Sequence, residues 1–181
     1  MRYSKAVLHL RALKARCGIF FVSGNHDHGY QHEELDKWIL LYESMNITSL
    51  RDENVLINAK CENKPPGFYL IGVDDYSKKG NISKAINGID RNFPNVLSAH
   101  QPKHAHDAKK NKIDFMISGH THGGNFWPIS IAVALANTFW KGYYKDGDLQ
   151  IYVSQGINMW GFQARLGSRR EITHITLTSE I

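Results

Sequence analysis

"FMISGHTHGGN", residues 115–125, runs from an apolar strand signal straight into two imidazoles framed by glycines. Its apolar half is a short continuous run, the pattern of a strand covered on both faces. Its polar half sets His120 and His122 among Gly119, Gly123 and Gly124, and glycine lets a backbone turn sharply and approach a ligand closely. Two other stretches repeat the design. "IFFVSGNHD" (19–27) carries Asn25, His26 and Asp27 beyond its strand, and "NVLSAHQP" (95–102) carries His100. In open α/β sheets ligands bind just beyond the carboxyl ends of the strands. Three such ends can therefore meet at one site although they lie far apart in sequence. Neutral imidazole and amide oxygen are good ligands for borderline divalent cations such as Zn, Mn or Fe.

Outward from these ends, helix and strand signals alternate. Ala6, Leu10, Leu13 and Cys17 recur at helical spacing between Lys and Arg, which predicts an amphipathic first helix stopped by Gly18. Leu35, Trp38, Ile39 and Tyr42 form the stripe of a second helix, from about Gln31 to Met45. "NVLIN" (54–58) and "GFYLIGVDDY" (67–76) read as strands on either side of a Pro-Pro-Gly turn, residues 82–91 and "HDAKKNK" as helices, and "LQIYVSQG" and "EITHITLT" as closing strands. This alternation predicts an α/β class with a mostly buried sheet, finished by antiparallel strands, in a single domain over 1–181.

Composition narrows the function classes. Of 181 residues, 42% are apolar and 22% charged, which is ordinary for a globular domain. A net charge of +5 suits an anionic substrate or surface, but the basic residues are scattered, which argues against a nucleic-acid face. Cys17 and Cys61 form neither a disulfide framework nor a thiolate cage and read as small buried hydrophobes. No apolar run is long enough to span a bilayer, and the charged start is not a signal peptide. Of the remaining histidines, His28, His32, His104 and His106 read as solvated rim residues, and His9 and His174 as surface residues. Phe126, Trp127, Trp140, Trp160 and Phe162 read as core.

"GNHD", the His of "SAHQP", and "GHTHGG" resemble the later motifs of the calcineurin-like metallophosphoesterases. The closing "ARLGSRREITHITL" is similar to the end of a bacterial membrane-associated branch, the YkuE/YaeI-like phosphoesterases. The resemblance implies a sandwich of two mixed sheets flanked by helices, with a two-metal site at the strand ends. It implies that Asn25, His100 and His120 bind the second metal and His122 the first. His26 then stands outside the coordination shell as a general acid, and Asp27 orients it. The cofactors implied are two divalent ions (Mn, Zn or Fe), and the substrate is a phosphomonoester or phosphodiester, a phospholipid head group at a membrane surface among them.

The family pattern also has two earlier blocks, an Asp-x-His and a Gly-Asp, at the ends of its first two strands. No Asp precedes Asp27 in this chain, so the resemblance covers the C-terminal part of the fold, without those strands. Four neutral ligands leave two cations with no carboxylate to offset their repulsion. Asp74 and Asp75 are the only paired acids at a strand end, and the branch carries a similar pair without using it as a bridge. Two classes of function follow. One is a metallophosphoesterase whose first motifs are encoded upstream. The other is an inactive remnant serving as a structural or weak single-metal module. The expectations for the chain as written are poor solubility or oligomerisation through an exposed sheet edge and negligible hydrolysis, with a cytoplasmic location and a membrane-associated one through a preceding segment both left open.

Overall fold

A computed structural model describes residues 5–28, 32–58, 67–161 and 164–178. Cys61, Phe162, the side chain of His32 and the Pro65-Pro66 turn lie outside the described set.

The first helix is shorter than its periodicity predicts. α1 (Lys5–Leu8) tightens into a 3₁₀ turn over His9–Ala12, and Leu13 and Cys17 beyond it are exposed. Cys17 is therefore not the buried hydrophobe expected from its residue type. β1 (Ile19–Phe21) follows, then α2 (His32–Glu43). Asn46, at φ 59, ends the turn after α2 and sends the chain into β2 (Ile47–Ser49), which pairs parallel with β1. Asparagine tolerates this left-handed conformation better than most residues.

The second sheet has six strands. β3 (Glu53–Asn58), β4 (Gly67–Gly72), β5 (Asn95–Ser98), β6 (Phe115–Ser118), β7 (Gly142–Asp146) and β8 (Leu149–Val153) lie in the order β3-β4-β5-β6-β8-β7. The inner four are parallel and the outer two antiparallel to their neighbours. Parallel neighbours need crossovers. α3 (Ile82–Ala85), capped by the Asn81 side chain accepting from Lys84 N–H, lies between β4 and β5. α4 (Ala105–Lys110) lies between β5 and β6, and α5 (Ile129–Ala136) on the way from β6 to β7 and β8. The expected closing strand over "EITHITLT" does not form; residues 171–178 carry no strand pairing.

Register places Ile71, Leu97, Met116 and Ile151 side by side across four strands, all fully buried. Ala85 and Ala108 from α3 and α4 pack on this row. Burying each of the four large side chains contributes about 1.5–3 kcal/mol, and Met116→Ala would cost about 2–5 kcal/mol. The opposite face meets the small sheet at Gly72, where a Cβ would stand 2.2 Å from Leu50 Cβ and 2.9 Å from Val22. Glycine there is what lets the two sheets approach. Farther along this face Phe115, Ile117 and Tyr152 are only half-buried. The architecture is a mixed α/β fold of two sheets with helices, as the strand alternation predicts.

Candidate metal centre

The carboxyl ends of β1, β5 and β6 lie together. Past β1 the chain turns at once. Asp27 N–H donates to Gly24 O at 3.1 Å, and Gly24 N–H donates to Asp27 Oδ2 at 2.6 Å, closing a loop that carries Asn25 and His26. A Cβ on Gly24 would stand 3.0 Å from three atoms of the His100 ring, so glycine lets this turn lie against the ring without displacing it. Past β5, the carbonyl of His100 accepts from Gly119 N–H at 3.0 Å and from Ser118 Oγ at 3.2 Å, tying the two histidine-bearing ends together.

Asn25 Oδ1 lies 2.9 Å from His100 Nε2, and His100 Nε2 lies 3.1 Å from His120 Nδ1. The two rings stand nearly edge to face, 4.9 Å between centroids. Two donors held at right angles, as in an octahedral site, about 2.1 Å from one ion, lie about 3.0 Å apart. The Asn25–His100 and His100–His120 spacings fit that requirement. Among the described residues no three His, Cys, Asp or Glu side chains are grouped to hold a metal; this cluster reaches three donors by including the Asn25 amide.

Burial is the largest effect on the ring charges. It pushes His120 down to about 4, with His100 beside it adding to the shift, and holds His100 and His122 below the ordinary histidine range. All three are neutral at pH 7 and keep a lone pair, the form a cation needs. The backbone around them is strained. His120, His122 and Asn125 have φ of 68, 52 and 53, and Gly123 and Gly124 lie between them at 60 and 73. Non-glycine residues held in this region cost of order 1–3 kcal/mol each and gather at functional sites.

His122 is not joined to the triplet. Its Nδ1 lies 3.1 Å from the carbonyl of Asn158, and it lines, with Asn25, His26, His100 and His120, a cavity of about 470 Å³. His26 is exposed at the rim. Asp27 makes no hydrogen bond to His26 among the described residues; its carboxylate instead shapes the turn through Gly24. The residues thus fit one cation, and a second would have His122 alone.

Several expectations are corrected here. His28 is buried, not solvated: its Nε2 lies 3.0 Å from Ser23 Oγ, which donates to Asp74 at 2.9 Å. Asp74 also takes a two-pronged contact from Arg51, at 3.0 and 2.9 Å. Asp75 is fully buried and accepts from Gln101 and Ser77. Both acids are thus held by neighbouring donors. His104 is buried as well, edge-on to Tyr76. Trp127 and Trp160 are not core: they are 58% and 46% exposed. Trp160, Thr121, Val133 and Asn137 line the cavity. Only Trp160 carried a sequence signal, its aromatic character.

The profile of the calcineurin-like phosphoesterases matches residues 2–124, which hold every donor named above. The chain belongs to the calcineurin-like phosphoesterase family. A bovine protein named "Transmembrane protein with metallophosphoesterase domain" is 37% identical over 95% of this chain and 41% of its own length. An uncharacterized metallophosphoesterase of Helicobacter pylori (strain J99) is 35% identical over 94% of this chain and 45% of its own length. YkuE of Bacillus subtilis, also an uncharacterized metallophosphoesterase, is 28% identical over 94% of this chain and 59% of its own length. The chain therefore spans less than half the length of the first two. No solved structure matches it.

Proposed function

We propose that this chain takes part in metal-dependent hydrolysis of a phosphomonoester or phosphodiester, with Asn25, His100 and His120 holding one divalent cation. The observation that carries the reading is the convergence of Asn25 Oδ1, His100 Nε2 and His120 Nδ1 at ligand-to-ligand spacing. A bound cation would supply charge stabilisation for a phosphoryl oxygen. His122 is the protein donor for a second one. His26, at the rim and outside the triplet, protonates the leaving oxygen. The strained 120–125 backbone and the Gly24 turn hold the donors in place without cation.

The finer reading places the phosphate ester on a lipid head group at an anionic membrane surface. α5 buries none of its residues; Ile131 and Leu135 are 53% and 85% exposed, beside Val133 on the cavity wall. Residues 116–145 and 149–170 contain no Asp or Glu, whereas Lys141, Lys145, Arg165, Arg169 and Arg170 lie within them. An apolar ledge in basic surroundings suits an anionic lipid surface. No helix of the described residues is long and apolar enough to cross a membrane.

The test is turnover of bis(p-nitrophenyl) phosphate with added Mn²⁺, in wild type and in His120→Ala. Mn²⁺-dependent hydrolysis removed by His120→Ala supports the reading. Hydrolysis that survives His120→Ala or metal removal contradicts it. Tight Mn²⁺ binding without turnover leaves the chain as a single-metal module.

A further inference from the structure

The closing "ARLGSRRE" motif, residues 164–171, contributes no donor to the cation triplet. Yet Arg165 within it is a hydrogen-bonding hub beside His122. We infer that Arg165 is a positioning residue for His122: through the carbonyl of Asn158 it fixes the tautomer of that imidazole, so that Nε2 is the nitrogen left free toward the cavity.

The guanidinium gathers three stretches of chain. Nη2 donates to the carbonyls of Gln155, at 2.8 Å, Gly156, at 3.1 Å, and Asn158. Nη1 donates to Arg169 O at 2.6 Å and, at 3.5 Å, to Ser168 Oγ and the carbonyl of His122 itself. Three carbonyl oxygens of one loop, 155–158, thus face a single nitrogen. Oxygens crowded in this way repel one another unless a cationic donor stands between them. A planar fork with several N–H groups meets them together; an ammonium does so less well.

The tautomer follows from what a carbonyl does. Asn158 O has two lone pairs and only accepts. One takes the Arg165 N–H, and the other faces His122 Nδ1 at 3.1 Å. Nδ1 must then carry the hydrogen, and a neutral ring keeps its lone pair on Nε2. The start of the loop has an independent hold, because Gln155 N–H and Nε2 donate to the two carboxylate oxygens of Glu171, at 3.1 and 3.0 Å. Removing Arg165 therefore frees residues 156–158 and His122 while leaving the β8 end fastened.

The inference rests on the cation-binding reading for its consequence, but the tautomer itself needs no cation. Long-range ¹H–¹⁵N spectra of the His122 ring, recorded on the metal-free full chain at pH 8, read it directly. Wild type is expected as the Nδ1–H tautomer, and Arg165→Ala as a shift toward Nε2–H, the form an unconstrained histidine favours. Arg165→Lys, which keeps the charge without the fork, is expected in between and serves if the alanine variant fails to fold. An unchanged ring in a folded variant, or Nε2–H in wild type, overturns the inference. Co²⁺ titration gives the control. Because His122 stands outside the triplet, Arg165→Ala is expected to leave Co²⁺ uptake by Asn25, His100 and His120 unchanged. A loss of uptake in Arg165→Ala like that in His120→Ala means Arg165 acts on the triplet and contradicts the inference. Failure of wild type to take up Co²⁺ counts against the cation reading alone, because the ring spectra still decide the tautomer.

Discussion

His100 Nε2 stands 2.9 Å from Asn25 Oδ1, although the two residues are 75 positions apart along the chain. The contact exists because β1 and β5 end at the same edge of the fold and Gly24 leaves the ring room. In the metal-free chain it is a hydrogen bond. The same two atoms, together with His120 Nδ1 at 3.1 Å from that ring nitrogen, are spaced as donors to one ion.

Gly24→Ala tests how tightly that approach is built. The new methyl would lie within 3.0 Å of three ring atoms of His100, closer than ordinary packing allows, and overpacking of this kind costs about 1–3 kcal/mol. Urea unfolding of the metal-free variant should show that loss. Cation affinity should fall too, because the ring must move. A variant as stable as wild type, with unchanged affinity, would mean that the turn has slack.

His26→Ala separates ligand from acid. The side chain is exposed and outside the triplet, so cation affinity should stay close to that of wild type, whereas Mn²⁺-dependent turnover, measured on the chain joined to the two earlier family motifs, should drop by roughly 10²–10⁴-fold, the usual worth of general acid catalysis. Loss of the cation with normal turnover on resupply would reverse the assignment.

The histidine cluster also makes stability depend on pH. His120 is held at about 4, and His100 is lowered as well, both chiefly by burial, while the unfolded chain takes up its protons near 6.5. Between those values the unfolded state binds more protons, so stability is full above pH 6.5 and falls as pH drops toward 4. His120 is half-buried, so solvent screening reduces the effect to roughly 1–2 kcal/mol between pH 7 and 5. Urea midpoints at the two values measure it, and His120→Gln should flatten the dependence. An equal slope in that variant would place the titration elsewhere.

Ile131→Ser with Leu135→Ser removes the most exposed part of the α5 ledge. Binding to vesicles containing anionic lipid should weaken by about tenfold or more, with hydrolysis of a soluble diester unchanged. Wild type that ignores such vesicles would remove the lipid reading and leave the cation site untouched.

The strand ends were legible from the chain alone because each couples a continuous apolar run to a polar cluster, as in "FMISGHTHGGN". Helices α2 and α4 carried periodic or compositional signals long enough to read. β2 did not, because three residues hold no period. α5 was equally silent: "ISIAVALA" is apolar on every side, so no stripe marks its exposed face. His28 and His104 looked like rim residues because what buries them, Ser23 and Asp74 for one and Tyr76 for the other, comes together only in the fold. Arg165 looked like one scattered basic residue among several, since its partners are backbone carbonyls and no side-chain pattern announces them.

Titration of the metal-free chain with Co²⁺, followed by its visible absorption and by calorimetry, tests the central claim most directly. The account predicts saturable uptake of one ion per chain with imidazole-coordinated absorption. It predicts loss of that uptake in His100→Ala and His120→Ala, and weakening in Asn25→Ala. Uptake that persists unchanged in His120→Ala, or none in wild type, would contradict a cation site built from these three strand ends.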